Sequence, residues 1–89
     1  MKGIITVIGK DRVGIIAEIC TFLSQRQVNI LDISQTIVQG YFNMLMIVEF
    51  SEQGDAFEQT ARALHGMGAA MGMEIKLQRE DIFESMHRV

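Results

Sequence analysis

The segment with the strongest chemical character is the loop Gly9-Lys10-Asp11-Arg12-Val13-Gly14-Ile15, which lies between an apolar run and a helical pattern. Two glycines bracket a charged turn, which indicates either unusual backbone dihedrals or the close approach of another group. Backbone N–H groups at the start of a helix, here those of Val13, Gly14 and Ile15, attract a carboxylate. The carboxylate of Asp11 is suited to an ammonium group. The loop therefore predicts a site for an α-amino acid.

The same residues also have simpler structural interpretations. Asp11 is equally suited to capping the first helix, and Lys10 and Arg12 are typical of solvated surface charges. Two glycines do not make a dinucleotide-binding fingerprint, which needs three glycines and a following parallel strand. Asn29, fifteen residues after Gly14, is by itself typical of a turn. Spacing alone leaves these alternatives open.

Signals for other kinds of chemistry are weak. His65 and His87 are the only histidines, and neither has an acid or a nucleophile at a motif spacing, so no catalytic residue is predicted. Cys20 is the only cysteine, which excludes an internal disulfide and a cysteine-rich metal site. Because it lies on an apolar helix face, it is predicted to be buried. The acidic residues do not have the spacing of a cation site, and no metal or cofactor is predicted.

Length and charge limit the class of protein. The 89 residues form one small domain, 1–89, of which 48% are hydrophobic. Eight Lys and Arg against eleven Asp and Glu give a net charge of −3, which argues against a nucleic-acid partner. No apolar run approaches the ~20 residues needed to span a bilayer, and the first residues lack the pattern of a signal peptide. We therefore predict a cytoplasmic protein with no membrane partner.

The first half of the chain alternates between strand-like and helical periods. Gly3–Ile8 reads as a buried strand, and Val13–Gln27 has apolar residues at the three- and four-residue spacing of an amphipathic helix. Val28–Val38 and Tyr41–Phe50 read as the two arms of a hairpin. Gln39-Gly40 between them supplies the glycine that a tight turn needs.

The second half repeats the helix and strand. A helical pattern from Phe57 ends at Gly72, Met73–Arg79 alternates as a half-buried strand, and 81–88 reads as a short C-terminal helical tail. The order β-α-β-β-α-β predicts the α+β class and a ferredoxin-like fold, a four-stranded antiparallel sheet with two helices on one face. Because both faces of the sheet carry apolar residues, we expect another subunit to cover the bare face or an edge, giving a homo-oligomer, most simply a dimer.

The loop Gly-Lys-Asp-Arg-Val-Gly-Ile-Ile, the helix after it and Val28-Asn29-Ile30 resemble the ACT domain, a small regulatory module that binds amino acids. The resemblance covers essentially the whole chain. The tail makes it more similar to stand-alone ACT-domain proteins of bacteria and archaea (UPF0237-like). In ACT domains that sense serine, a loop side chain and an asparagine before the second strand contact the ligand across a subunit interface. The resemblance gives Asp11 and Asn29 these positions, although such domains often carry His in place of Gly9 and Asn in place of Asp11.

The resemblance implies a non-catalytic regulatory domain that binds an amino acid or a similar small ligand at an oligomer interface. One alternative is a ligand-free dimerising adaptor that regulates a partner protein, either a metabolic enzyme or a transcriptional repressor. A third hypothesis is a small hydrolase of the acylphosphatase type, in which Arg12 and either Asn29 or Asn43 would hold a phosphate.

Overall fold

The computed structural model describes residues 1–51 and 55–81, and it confirms the predicted order of elements. The elements are β1 (Lys2–Lys10), α1 (Ile15–Gln25), β2 (Asn29–Val38), β3 (Tyr41–Glu49), α2 (Ala56–Met71) and β4 (Met73–Arg79). All strand pairs are antiparallel, and the strand order β2-β3-β1-β4 makes β2 and β4 the edges of the sheet. Apart from Asp81, the predicted C-terminal helical tail lies outside the described residues.

Strand β1 is longer, and helix α1 shorter, than their sequence patterns predict. β1 continues through Gly9 to Lys10 because it pairs with β3 along its whole length, from Lys2 opposite Glu49 to Lys10 opposite Tyr41. Gly9 lies within this strand opposite Met73 of β4, and a Cβ atom there would press on the flexible end of the Met73 side chain. The prediction that Gly9 ends β1 was therefore wrong, because the pairing with β3 and β4 continues through it.

The core lies between one face of the sheet and the two helices. Apolar side chains of the helices pack against alternate residues of β1, β3 and β4, which confirms the prediction that both helices lie on one face. Each fully buried large apolar side chain stabilises the fold by about 1.5–3 kcal/mol. The side chains with the least exposure are Ile5, Val7, Ile15, Ile19, Leu23, Met46, Val48, Leu64 and Ile75.

Both predicted glycine turns are present. Gln39 and Gly40 have φ values of 52° and 82°, the left-handed pair that a two-residue hairpin turn requires. Gly72 ends α2 with a φ of 72°, also in the left-handed region. Strand β4 follows directly, so the chain reverses within one residue of the helix.

Two glycines of α2 provide a matched test of packing against helix propensity. A Cβ on Gly68 would lie 2.7 Å from the carbonyl oxygen of Met73, whereas one on Gly66 would meet nothing within 4 Å. We expect Gly66→Ala to stabilise the protein by roughly 0.5–1 kcal/mol, because alanine is the better helix former. Gly68→Ala should instead destabilise it by roughly 1–3 kcal/mol, because α2 must move away from β4. Thermal melting of the two variants measures both effects, and equal shifts would contradict this account of the α2–β4 packing.

Strand β2 is the exposed edge of the sheet. Every residue from Leu31 to Val38 is exposed, and none of the buried core residues belongs to β2. A bulge interrupts the pairing with β3 between Ile30 and Asp32, and the N–H of Ile33 donates to Oδ1 of Asp32 at 2.9 Å. The whole strand is ten residues long and carries one charged side chain, so little in it opposes pairing with another strand.

Candidate functional site

The loop that follows β1 is held against the hairpin turn. The backbone N–H of Asp11 donates to the carbonyl oxygen of Gly40 at 2.9 Å. Gly14 then precedes α1 with a φ of 89°, and its carbonyl accepts the first helical hydrogen bond, from the N–H of Glu18 at 2.9 Å. A Cβ on Gly14 would have no neighbour within 4 Å, so the requirement for glycine is conformational. In the left-handed region any other residue is strained by about 1–2 kcal/mol.

The carboxylate of Asp11 does not cap the helix. Gly14 occupies the N-cap position, and no side chain caps α1. Within the described part of the chain, the Asp11 side chain makes no hydrogen bond or ion pair and is exposed. The helix-cap interpretation of Asp11 was therefore wrong, because three residues separate Asp11 from the first residue of the helix. The carboxylate remains available to a ligand.

The amides at the start of α1 differ in part from those predicted. Because Gly14 is the N-cap and α1 begins at Ile15, the N–H groups without a carbonyl one turn earlier in the helix are those of Gly14, Ile15, Ile16 and Ala17. Two of the three predicted amides, those of Gly14 and Ile15, belong to this set, and Val13 precedes it. These four amides carry the partial positive charge of the helix N-terminus.

Arg12 is the cation of the loop. Its guanidinium lies 3.6 Å from the carboxylate of Glu18 in the first turn of α1, and both side chains are about half exposed, at 43% and 47%. An exposed pair of this kind contributes little to stability, about 0–1 kcal/mol. Arg12 can therefore exchange Glu18 for a ligand carboxylate at small cost.

A cavity of about 340 Å³ opens beside this loop. It lies between the start of α1 and the last residues of β2, on the helical side of the sheet. Its volume exceeds what a single amino acid needs, and it is open to solvent. The residues that line it are Asp11, Arg12, Gly14, Ile15, Ile16, Ala17, Gln35, Ile37 and Phe42.

Four of the eight predicted site residues line this cavity: Asp11, Arg12, Gly14 and Ile15. Gly9 and Lys10 are the last residues of β1 and lie outside the lining. Val13 lies at the tip of the loop with 95% of its surface exposed. These three residues border the cavity without forming its wall.

Asn29 lies at the opposite end of the sheet. It begins β2 opposite Glu49, whereas the loop lies beside the other end of β2, next to Gly40. A strand of this length spans roughly 30 Å, so one chain cannot bring Asn29 to the loop. Asn29 instead lines a second cavity of about 460 Å³, together with Cys20, Ser24, Gln27, Val28 and Ile30.

The cysteine in this second cavity is less buried than predicted. Cys20 is only half-buried, because it packs against the edge of the core rather than within it. The prediction of a buried thiol was therefore wrong. Helix α1 lies at the β2 side of the sheet, where no other helix or strand of residues 1–51 and 55–81 covers it.

Five residues of the cavity wall were not predicted from the sequence, and these are Ile16, Ala17, Gln35, Ile37 and Phe42. Gln35 and Ile37 come from β2, and no local pattern connects them with the loop. The predicted fold was the available signal, because the end of β2 lies beside the start of α1 in it. Ile37 stands opposite Phe42 in the β2–β3 ladder, which sets both side chains on the helical side.

Residues 1–51 and 55–81 form neither a cluster of metal ligands nor the phosphate-holding site of a hydrolase. No three of their His, Cys, Asp and Glu side chains come together as metal ligands would. Asn43 lines a cavity with Thr6 and Ile8 on the open face of the sheet, away from the cavity that contains Arg12. Arg12 therefore has neither Asn29 nor Asn43 beside it, as a phosphate-holding site would need. No helix in this part of the chain is long and apolar enough to cross a membrane.

Comparison with known sequences gives the same family along nearly the whole chain. The sequence model of the ACT domain matches residues 3–78. A UPF0237 protein of Bifidobacterium longum is 53% identical over 88 residues, covering 99% of this chain and 98% of its own length. A UPF0237 protein of the archaeon Methanosarcina acetivorans is 48% identical over 86 residues, covering 97% of this chain and 94% of its own.

Solved structures agree with this assignment. An ACT domain protein from Streptococcus pneumoniae superposes with a TM-score of 0.83 and 38% identity, covering 94% of both chains. A putative glycine cleavage system transcriptional repressor superposes with a TM-score of 0.76 and 22% identity, over 86% of this chain and 44% of that one. A formyltetrahydrofolate deformylase from Pseudomonas putida reaches a TM-score of 0.72 at 18% identity, over 88% of this chain and 28% of that one. The last two show the fold alone. The chain belongs to the ACT-domain family, and within it to the UPF0237 proteins.

Proposed function

We propose that this protein is a non-catalytic regulatory ACT domain of the cytoplasm that binds an α-amino acid between two copies of the chain. The observation that carries the proposal is the unpartnered carboxylate of Asp11 beside Arg12 and the start of α1, in one cavity. An α-amino acid presents an ammonium and a carboxylate on one carbon atom. The cavity offers an acceptor for the first and donors for the second within a single loop.

The charges of the cavity suit both ends of the ligand. Asp11 accepts hydrogen bonds from the ammonium group, because its carboxylate has no partner of its own within the described residues. Arg12 and the amides of the first turn of α1 hold the carboxylate. Both charges of the bound ligand then have partners of opposite charge, which offsets the cost of removing them from water.

The exposed edge of β2 is the surface on which a second copy pairs. Its main-chain groups from Leu31 to Val38 face no neighbouring strand on one side. Four exposed apolar residues belong to this strand, at positions 31, 33, 37 and 38. Antiparallel pairing of β2 with its own copy joins two four-stranded sheets into one and removes the unpaired edge.

This pairing also explains how Asn29 reaches the ligand. An antiparallel pair sets the beginning of one strand beside the end of the other. Pairing centred on Ile33 places the partner subunit's Asn29 near Ile37, which lines the cavity. The 30 Å that separate Asn29 from the loop within one chain are thereby bridged by the second copy.

A screen of the parent protein against the twenty amino acids tests the proposal. Ligand at about 100 times its dissociation constant stabilises a protein by ~2.7 kcal/mol. For a domain of this size that corresponds to a rise of roughly 10 °C or more in melting temperature. Thermal melting identifies the ligand, and calorimetry then gives its affinity. If no amino acid shifts the melting temperature, the ligand-binding proposal is contradicted.

The second candidate function is a ligand-free dimerising adaptor. The feature that favours it is the exposed edge of β2, whose apolar residues at positions 31, 33, 37 and 38 support association of two copies without a ligand. An oligomer that binds no amino acid but still binds a regulated partner would support this function over the first.

A further inference from the structure

We infer that the amino acid bound in the loop cavity has an aliphatic side chain, as valine, leucine and isoleucine do. This inference rests on the proposed function and adds the class of ligand to it. It follows from the part of the cavity wall that the loop charges do not occupy. That wall is formed by Ile16 and Ala17 of α1, Ile37 of β2 and Phe42 of β3.

The cavity has a charged end and an apolar end. Asp11 and Arg12 lie at the end formed by the loop, which the hydrogen bond from Asp11 to Gly40 holds at the tip of the hairpin. Two positions before that tip, Ile37 stands opposite Phe42, of which only 3% is exposed. A ligand held by its charged groups at the loop therefore directs its side chain over Ile37 and Phe42.

The length of the apolar end limits the ligand. Along β2 the next residue on the same side is Gln35, which stands opposite Met44 and is the only uncharged polar side chain of the wall. Residues two apart in a strand are separated by about 7 Å. A side chain of three or four carbon atoms covers Ile37 and ends before Gln35. Serine is too short to cover it, and a charged side chain would lose its hydration against Ile16, Ile37 and Phe42.

Ile37 also offers the ligand an uncovered apolar surface. Its side chain is 55% exposed although it lies on the helical side of the sheet, where its neighbours along β3 are buried. Neither helix covers it, so an apolar ligand side chain gains contact area there. Each buried methylene group contributes about fourfold in affinity.

The experiment compares Ile37→Ser with Val38→Ser by calorimetry. The two residues are neighbours on β2, are both 55% exposed, and point to opposite faces of the sheet. We expect the parent to bind valine, leucine or isoleucine at least about tenfold more tightly than alanine or serine. Ile37→Ser should lose about tenfold or more of this affinity but keep that for alanine. Val38→Ser, on the same pairing edge but facing away from the cavity, should keep the parent's preference for leucine over alanine. Ile37→Val should restore most of the affinity for leucine.

The failures of the two proposals are distinguishable. If the parent binds serine or a charged amino acid as tightly as leucine, or if Ile37→Ser leaves leucine binding unchanged, the aliphatic ligand is excluded while amino-acid binding stands. If the parent binds no amino acid, both proposals fall together. Melting curves of all three variants establish that they are folded, since exposed positions on β2 contribute little to the core.

Discussion

Replacing Asp11 by alanine should weaken amino-acid binding by well over tenfold and leave the fold intact. In the proposed complex this carboxylate is the partner of the ligand ammonium, and truncating one member of a desolvated charge pair typically costs about 2–5 kcal/mol. The fold should be unaffected because the side chain neither caps α1 nor forms an ion pair with the residues that the structure describes. Calorimetry gives the affinity, and thermal melting gives the stability of the ligand-free protein.

Asp55→Ala is the matched control. Asp55 precedes α2, is exposed and makes no side-chain cap hydrogen bond. Its replacement by alanine therefore removes the same charge beside the start of the other helix. This variant should bind the ligand as the parent does. Asp11→Asn keeps an oxygen acceptor and removes the charge, and it should bind the ligand more tightly than Asp11→Ala but less tightly than the parent. Unchanged binding by Asp11→Ala would exclude Asp11 from the site, whatever ligand the protein binds.

Replacing Ile33 by lysine should convert the dimer into a monomer. In the proposed pairing of β2 with its copy, Ile33 lies at the centre of the strand and next to its symmetry mate, so the variant brings two lysines together. Like charges opposed across an interface cost several kcal/mol, which raises the dimer dissociation constant by roughly 100-fold or more. Because Ile33 is 40% exposed at the edge of the sheet, the monomer should remain folded. Sedimentation over a range of concentrations measures the change.

Ile8→Lys separates the two surfaces on which a second copy could pack. Ile8 is 50% exposed on the open face, on the inner strand β1 and away from the β2 edge. If the subunits associate through β2, the Ile8→Lys variant stays dimeric. If they associate by stacking of their open faces, Ile8→Lys becomes monomeric and Ile33→Lys stays dimeric. The monomeric Ile33→Lys variant should also lose amino-acid binding, because the partner subunit's Asn29 is absent. A monomeric parent protein would contradict the shared site.

The sequence by itself determined the order of the elements and the family. The alternation of Met73, Ile75 and Leu77 with polar residues is a local pattern, and β4 has the bounds that it predicts. The Gln39-Gly40 turn and the stop at Gly72 were also predictable, because positive φ values favour glycine and neighbouring polar residues. In each case the physical constraint acts within a few consecutive residues. The sequence also identified Asp11, Arg12, Gly14 and Ile15 of the cavity wall, because they follow one another along the chain.

Only the tertiary structure decided what these residues do and what lies beside them. It showed that Gly14 is required by its φ of 89°, that Asp11 is not a helix cap, and that Asn29 lies at the far end of β2. It also brought Gln35 and Ile37 to the cavity and left β2 at the edge of the sheet. The physical reason is that strand order and register depend on pairing between distant segments. The hydrophobic period of one strand or helix does not determine which other segment packs against it.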